Sequence, residues 1–126
     1  MTGRAAPVTA AAEPMAPRSW ASVSAVNVEN PLGLMRAPGE RLAPGGRLLV
    51  ETYGIAHDGR VDERATIEVQ QRGGIYPGDE FVYWGFGAGG LTALAGLAGF
   101  AEATIEATPT IDGHPRVLGA LVRPGA

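Results

Sequence analysis

Several side chains in this sequence are of types that do chemistry. Glu51 and His57 lie at and just beyond the end of an apolar run, Leu48–Val50, and a carboxylate or an imidazole at a strand end can serve as a general base. Each can equally be a solvated or structural residue. Gly85-Phe86-Gly87-Ala88-Gly89-Gly90 has the look of a glycine loop that lets backbone approach a cofactor at a helix N-terminus. Glu106 follows at about the 20-residue distance at which an acidic side chain takes a ribose hydroxyl. The plain alternative is a flexible entry to a helix packed on a sheet. Tyr76, Tyr83 and Trp84 could line a substrate pocket, because flat rings stack on bases and planar ligands. Aromatic residues before a helix can also simply cover a sheet.

Composition narrows the chemistry. With no cysteine, the chain has no disulfide, thiolate metal site or Cys nucleophile. Two histidines, His57 and His114, are too few for a His-rich metal centre. A net charge of −3 leaves no electrostatic footprint for nucleic acid. All 10 basic residues are Arg, and together with the many Ala, Gly and Pro residues this suggests a GC-rich, bacterial genome. Arg4 is followed by no apolar segment of a secretory signal, so the expected compartment is the cytoplasm.

The elements that must position these residues can be read from pattern. Residues 1–19 are Ala- and Pro-rich without apolar periodicity and read as a disordered leader, with residues 20–126 as one domain. Strands are expected near 22–28, 47–53, 101–107 and 116–122, with a further short one over Thr66–Val69. Leu48, Leu49 and Val50 form a continuous apolar run, which predicts a strand shielded on both faces. Asn30-Pro31 is an N-cap followed by proline, opening a helix over about 31–37 that Pro38-Gly39 should end. A second helix is expected over 89–98, terminated by Gly99. Turns are expected over Leu42–Gly46 and at Asp58-Gly59, Arg72-Gly73-Gly74 and Asp112-Gly113, the last joining the two closing strands antiparallel.

The ordered set of motifs resembles a known family. LAPGGRLLVET is similar to the turn and fifth strand of class I S-adenosylmethionine (SAM) dependent methyltransferases, and NVENPLGLM to their fourth strand and the helix after it. IYPGDE, FVYWGFGAGGLTALAGLAGF and IDGHPRVLGALV resemble the remaining elements of that domain, in order, so that the likeness covers about residues 22–123. The nearest likeness is to the tRNA wobble-uridine methyl- or carboxymethyltransferases of the 5-oxyacetic acid pathway and their relatives. The resemblance implies an α/β fold: a partial Rossmann-like methyltransferase sheet, fourth to seventh strands, behind the leader. It implies SAM or a carboxylated derivative as cofactor and a tRNA or small-molecule acceptor, for which the stacking rings of Tyr76 and Trp84 are the candidate substrate contacts. Arg116 matches the family's final-strand arginine, which is implied to meet the cofactor or its carboxylate; otherwise it is a strand-edge surface residue. Arg123, near the chain end, is expected to be a neutral control.

Two departures stand out. No strand with a G-x-G loop precedes Ser22, so the first three strand–helix units are absent, and Val26-Asn27 stands where relatives show Tyr-His. The chain alone is therefore expected to bind SAM weakly or not at all. A second reading is a non-catalytic α/β module, a homo-oligomer or one completed by a partner chain, since a lost neighbour would expose the fourth strand's edge. A third is a small membrane protein, because no charge falls between Glu80 and Glu102, although that span is Gly-rich and lacks flanking basic anchors.

Overall fold

The computed structural model describes residues 17–26, 28–69 and 84–125. Most of the leader, together with Arg72-Gly73-Gly74, Tyr76 and Tyr83, lies outside the described residues. In chain order the elements are β1 (Arg18–Ser24), α1 (Pro31–Glu40), β2 (Leu42–Tyr53), β3 (Ala56–His57), β4 (Arg60–Val61) and β5 (Ile67–Val69). They continue with β6 (Trp84–Phe86), α2 (Ala88–Leu97), β7 (Glu102–Ala107), β8 (Thr110–Ile111) and β9 (His114–Val122). The first strand starts earlier than its alternation predicts, taking Arg18 and Ser19 from the end of the leader.

The main sheet has the order β1-β2-β9-β7, with β8 pairing β9. β1 and β2 are parallel and joined through α1, whereas β9 runs antiparallel to both of its neighbours. The closing strands therefore pair as expected, through a β8–β9 turn at Asp112 (φ 52°) and Gly113 (φ 77°). Asp58 (φ 51°) and Gly59 (φ 77°) make the matching turn between β3 and β4, the doubly positive backbone of a tight hairpin.

Local chemistry explains the helices. Asn30 accepts a hydrogen bond from the Gly33 N–H at 2.9 Å through Oδ1, with Pro31 at the first helical position. α1 does not stop at Pro38 but continues to Glu40. A proline in the last turn forfeits one hydrogen bond, while burial of Pro31, Met35 and Gly39 along one face holds the helix in place. Gly39 is a close-approach position, since a Cβ there would lie 2.6 Å from Cζ of Phe100. α2 ends as predicted: Gly99 takes φ +95°, Phe100 N–H donates to Ala95 O, and Gly99 N–H donates to Gly96 O.

The expected shielding of the central strand is wrong at Leu49, which is 42 % exposed, while Leu48 and Val50 are buried. Leu48 and Val50 share one core with Met35 of α1, Leu91 and Leu94 of α2, and Val117. Both helices thus cover the same face of the sheet, so alternate residues of β2 point away from them. The predicted Leu42–Gly46 turn lies inside β2 as a bulge. Arg18 pairs with Leu42 and Trp20 with Arg47, so Ser19 alone stands opposite Ala43–Gly46. From Trp84 on, the charge-free span divides into β6, a break at Gly87 and α2, and no helix among the described residues is long and apolar enough to cross a membrane.

Candidate functional site

β2 and β9 bring together the side chains with the most functional potential. Tyr53, at the end of β2, lies directly opposite Arg116 near the start of β9, and Glu51 lies opposite Leu118. Side chains of directly paired residues share a sheet face, so Glu51, Tyr53 and Arg116 sit on the face away from the helices. There Arg116 Nη1 meets Glu51 Oε2 at 3.1 Å, and the guanidinium carbon lies 4.5 Å from the centre of the Tyr53 ring. Ser24 Oγ donates to the other Glu51 oxygen at 3.3 Å. His114 sets its ring edge-on to Tyr53, with centroids 6.5 Å apart.

Arg116 is therefore no strand-edge surface residue. Its side chain is 13 % exposed, against 32 % for Glu51, and its Nε is buried with no hydrogen-bond partner. An orphaned buried donor of a charged group is costly, and planar guanidinium is suited to an anionic oxygen. Glu51, a candidate base, is engaged with Arg116 and the Ser24 hydroxyl. Tyr53 and His114 escape a reading of the sequence alone. Their only signals are positions at the end of one predicted strand and just after a turn.

The glycine loop has a different role from the one its spelling suggests. The segment Asp62–Thr66 wraps the N-terminus of α2. Gly87 N–H donates to Thr66 O at 2.8 Å, Ala88 N–H to Asp62 O at 2.7 Å, and Gly89 N–H to Glu63 O at 3.0 Å. A Cβ at Gly87 would fall 2.4 Å from Arg64 O, and one at Gly90 would fall 2.2 Å from Thr66 O. Amide groups that would cradle an anion are consumed by the chain itself, and the missing side chains admit backbone, not a cofactor. The wrapping segment is braced by buried Asp62, which accepts the Arg64 N–H at 2.9 Å and pairs with the Arg64 guanidinium at 2.8 Å. Hydrogen bonding to Asp62, with its charge attraction, raises the Arg64 pKa above the ordinary value. Glu106 is exposed on β7.

Trp84 is half-buried against the core and donates its indole N–H to Glu29 O at 3.2 Å. Its ring thus ties β6 to the turn after β1. His57 lies in the β3–β4 hairpin, paired with Arg60 in register. Arg123 has a structural role: its Nη1 donates to Glu40 O at 2.9 Å and also to Leu42 O, closing the C-terminal end of α1.

An open cleft of about 1410 Å³ lies where β7 ends and β9 begins, lined by Arg60, Asp62, Arg64, Thr92, Thr108 and Pro115 among others. It sits beyond the C-terminal end of β7, the end at which open α/β sheets carry ligands. No protein-family model matches the chain, and no curated protein matches it.

Proposed function

We propose that this chain is a portion of a class I SAM-dependent methyltransferase-type domain, its fourth to seventh strands, and that it becomes competent only when the sheet is completed beyond β1. The observation that supports this reading is the layout of the sheet. A parallel β1–α1–β2 unit is followed by α2 and an antiparallel closing pair, in the sequence order the resemblance implies. Among the described residues β1 is an edge strand, and the face away from the helices carries Trp20 at 61 % exposure and Leu49 at 42 %. An edge open among the described residues and a face left bare at Trp20 and Leu49, though covered at Tyr53 and Arg116, are what a sheet continuing past its fourth strand would leave behind.

The donor set fits the cofactor in part. Arg116, with its unpartnered Nε, suits a carboxylate of SAM or of a carboxylated derivative. The Gly85–Gly90 loop does not suit the nucleoside, because residues 62–66 fill it. When bound, SAM supplies the electrophilic methyl carbon, and such transfer depends mainly on positioning. This chain's share is to fix Arg116 between Glu51 and Tyr53, and to offer the acceptor, a tRNA base or a small molecule, the cleft beyond β7.

Calorimetric titration tests the reading. The chain alone should show no low-micromolar SAM binding, and mixing it with the first three strand–helix units of a related methyltransferase should create binding. In that mixture Arg116→Ala should weaken binding more than ten-fold, about 1.4 kcal/mol. Tight binding by the chain alone would refute the placement of the cofactor, and no binding in the mixture would sink the family reading. The free edge of β1 also favours a second reading, a non-catalytic module completed by another chain.

A further inference from the structure

Among the described residues the sheet has two free edges, and they are built differently. β7 carries Glu102 and Glu106 and a register break between Ile105 and Ala107, all devices that discourage another strand from pairing. In β1 such devices are confined to its start, where Arg18 is charged and the register with β2 breaks before Trp20; from Ser19 to Ser24 it holds no charge and no proline, and from Trp20 to Ser24 its register is unbroken. Its backbone is also oriented for pairing. Ala25 N–H donates to Glu51 O, and Ser19 O lies against Gly46, so odd-numbered backbone groups face β2. Those of Trp20, Ser22 and Ser24 consequently point outward, since successive residues of a strand alternate in direction.

We infer that β1 pairs antiparallel with β1 of a second copy, joining two sheets across a two-fold axis at Ala21. An antiparallel pair needs outward-facing residues opposite one another, which restricts the axis to a residue and not to a peptide bond. Centring on Ala21 overlaps the whole of Arg18–Ser24, pairing Trp20 with Ser22 and Arg18 with Ser24 of the second copy. Charge favours the same antiparallel orientation. The start of β1 is basic, with exposed Arg18 and Arg47 beside it, whereas its end adjoins Glu51 through the Ser24 hydroxyl, with exposed Glu29 beyond. A two-fold axis sets each basic start against an acidic end. It also makes the two exposed Trp20 rings diagonal neighbours on the face away from the helices, within reach of one another. The inference needs only the free edge and does not rest on the methyltransferase reading.

The absence of cysteine allows a clean test on the full chain. At the axis the two Ala21 Cα atoms would be about 4.5–5.5 Å apart, within disulfide range, so Ala21→Cys should cross-link under mild oxidation. Two Val23 residues would be about 13 Å apart along the strands, and Val23→Cys should not cross-link. Sedimentation equilibrium should give a dimer for the parent chain, and Arg18→Glu should weaken it at least three-fold. Ser22→Pro, which removes an outward N–H, should leave a monomer; if that variant does not fold, the cysteine pair still decides. A parent chain that stays monomeric at all concentrations overturns the inference and gives the edge to another occupant. Cross-linking at residue 23 and not at 21 overturns the register.

Discussion

Replacing Gly90 by alanine asks whether the glycine loop is packed or open. In an exposed helix interior this change is worth up to about 1 kcal/mol of added stability, because glycine is the poorer helix former. At Gly90 the new Cβ would sit 2.2 Å from Thr66 O and 2.9 Å from the Thr66 carbonyl carbon. Ordinary contact begins near 3.4 Å, so the 62–66 segment must retreat by roughly an ångström. That segment accepts the N–H groups of Gly87, Ala88 and Gly89, and each such bond contributes about 1 kcal/mol. Losing them while gaining helix propensity gives a net destabilisation of about 2 kcal/mol. Gly96→Ala in the same helix is the control, since its Cβ would meet nothing within 4 Å and should stabilise by up to about 1 kcal/mol. Urea denaturation, read through tryptophan fluorescence, should move the two midpoints in opposite directions. If Gly90→Ala proved neutral or stabilising, the 62–66 segment would not be seated on α2. The loop would then be open to a cofactor after all.

Glu51→Ala should cost more stability than Arg116→Ala in thermal or urea unfolding. Losing Glu51 strands the deeply buried guanidinium, at about 2 kcal/mol, while losing Arg116 strands a better-solvated carboxylate and removes an orphaned donor, at about 1 kcal/mol. Arg116→Lys should not restore the parent stability, because an ammonium cannot place a planar guanidinium over the Tyr53 ring while also meeting Glu51. Arg123→Ala should lower stability by about 1 kcal/mol, near 4 °C in Tm, through its bonds to the Glu40 and Leu42 carbonyls. An unchanged melting curve would show that these contacts carry no net energy.

Much of the chain's organisation is legible in its residues because the signals are local. Asn30-Pro31 opens α1, Gly99 closes α2, and Asp58-Gly59 and Asp112-Gly113 turn the hairpins, each through the backbone preferences of two or three adjacent residues. Pro38 shows where local reasoning stops: the breaker is overridden by burial of Met35 and Gly39, which depends on Phe100 from a distant part of the chain. Leu49 cannot be placed from its neighbours either. An apolar run reads the same whether one sheet face is covered or two, and only the siting of both helices on one side leaves it exposed.

The candidate site divides in the same way. Arg116 can be singled out by its match to a motif, but its environment is long-range. Glu51 and Tyr53 lie far from it in sequence and reach it only through the antiparallel register of β2 and β9. For the glycines the sequence determines that backbone may come close; only the tertiary structure decides whose backbone does. Here it is residues 62–66, because a glycine removes a Cβ without specifying what fills the space.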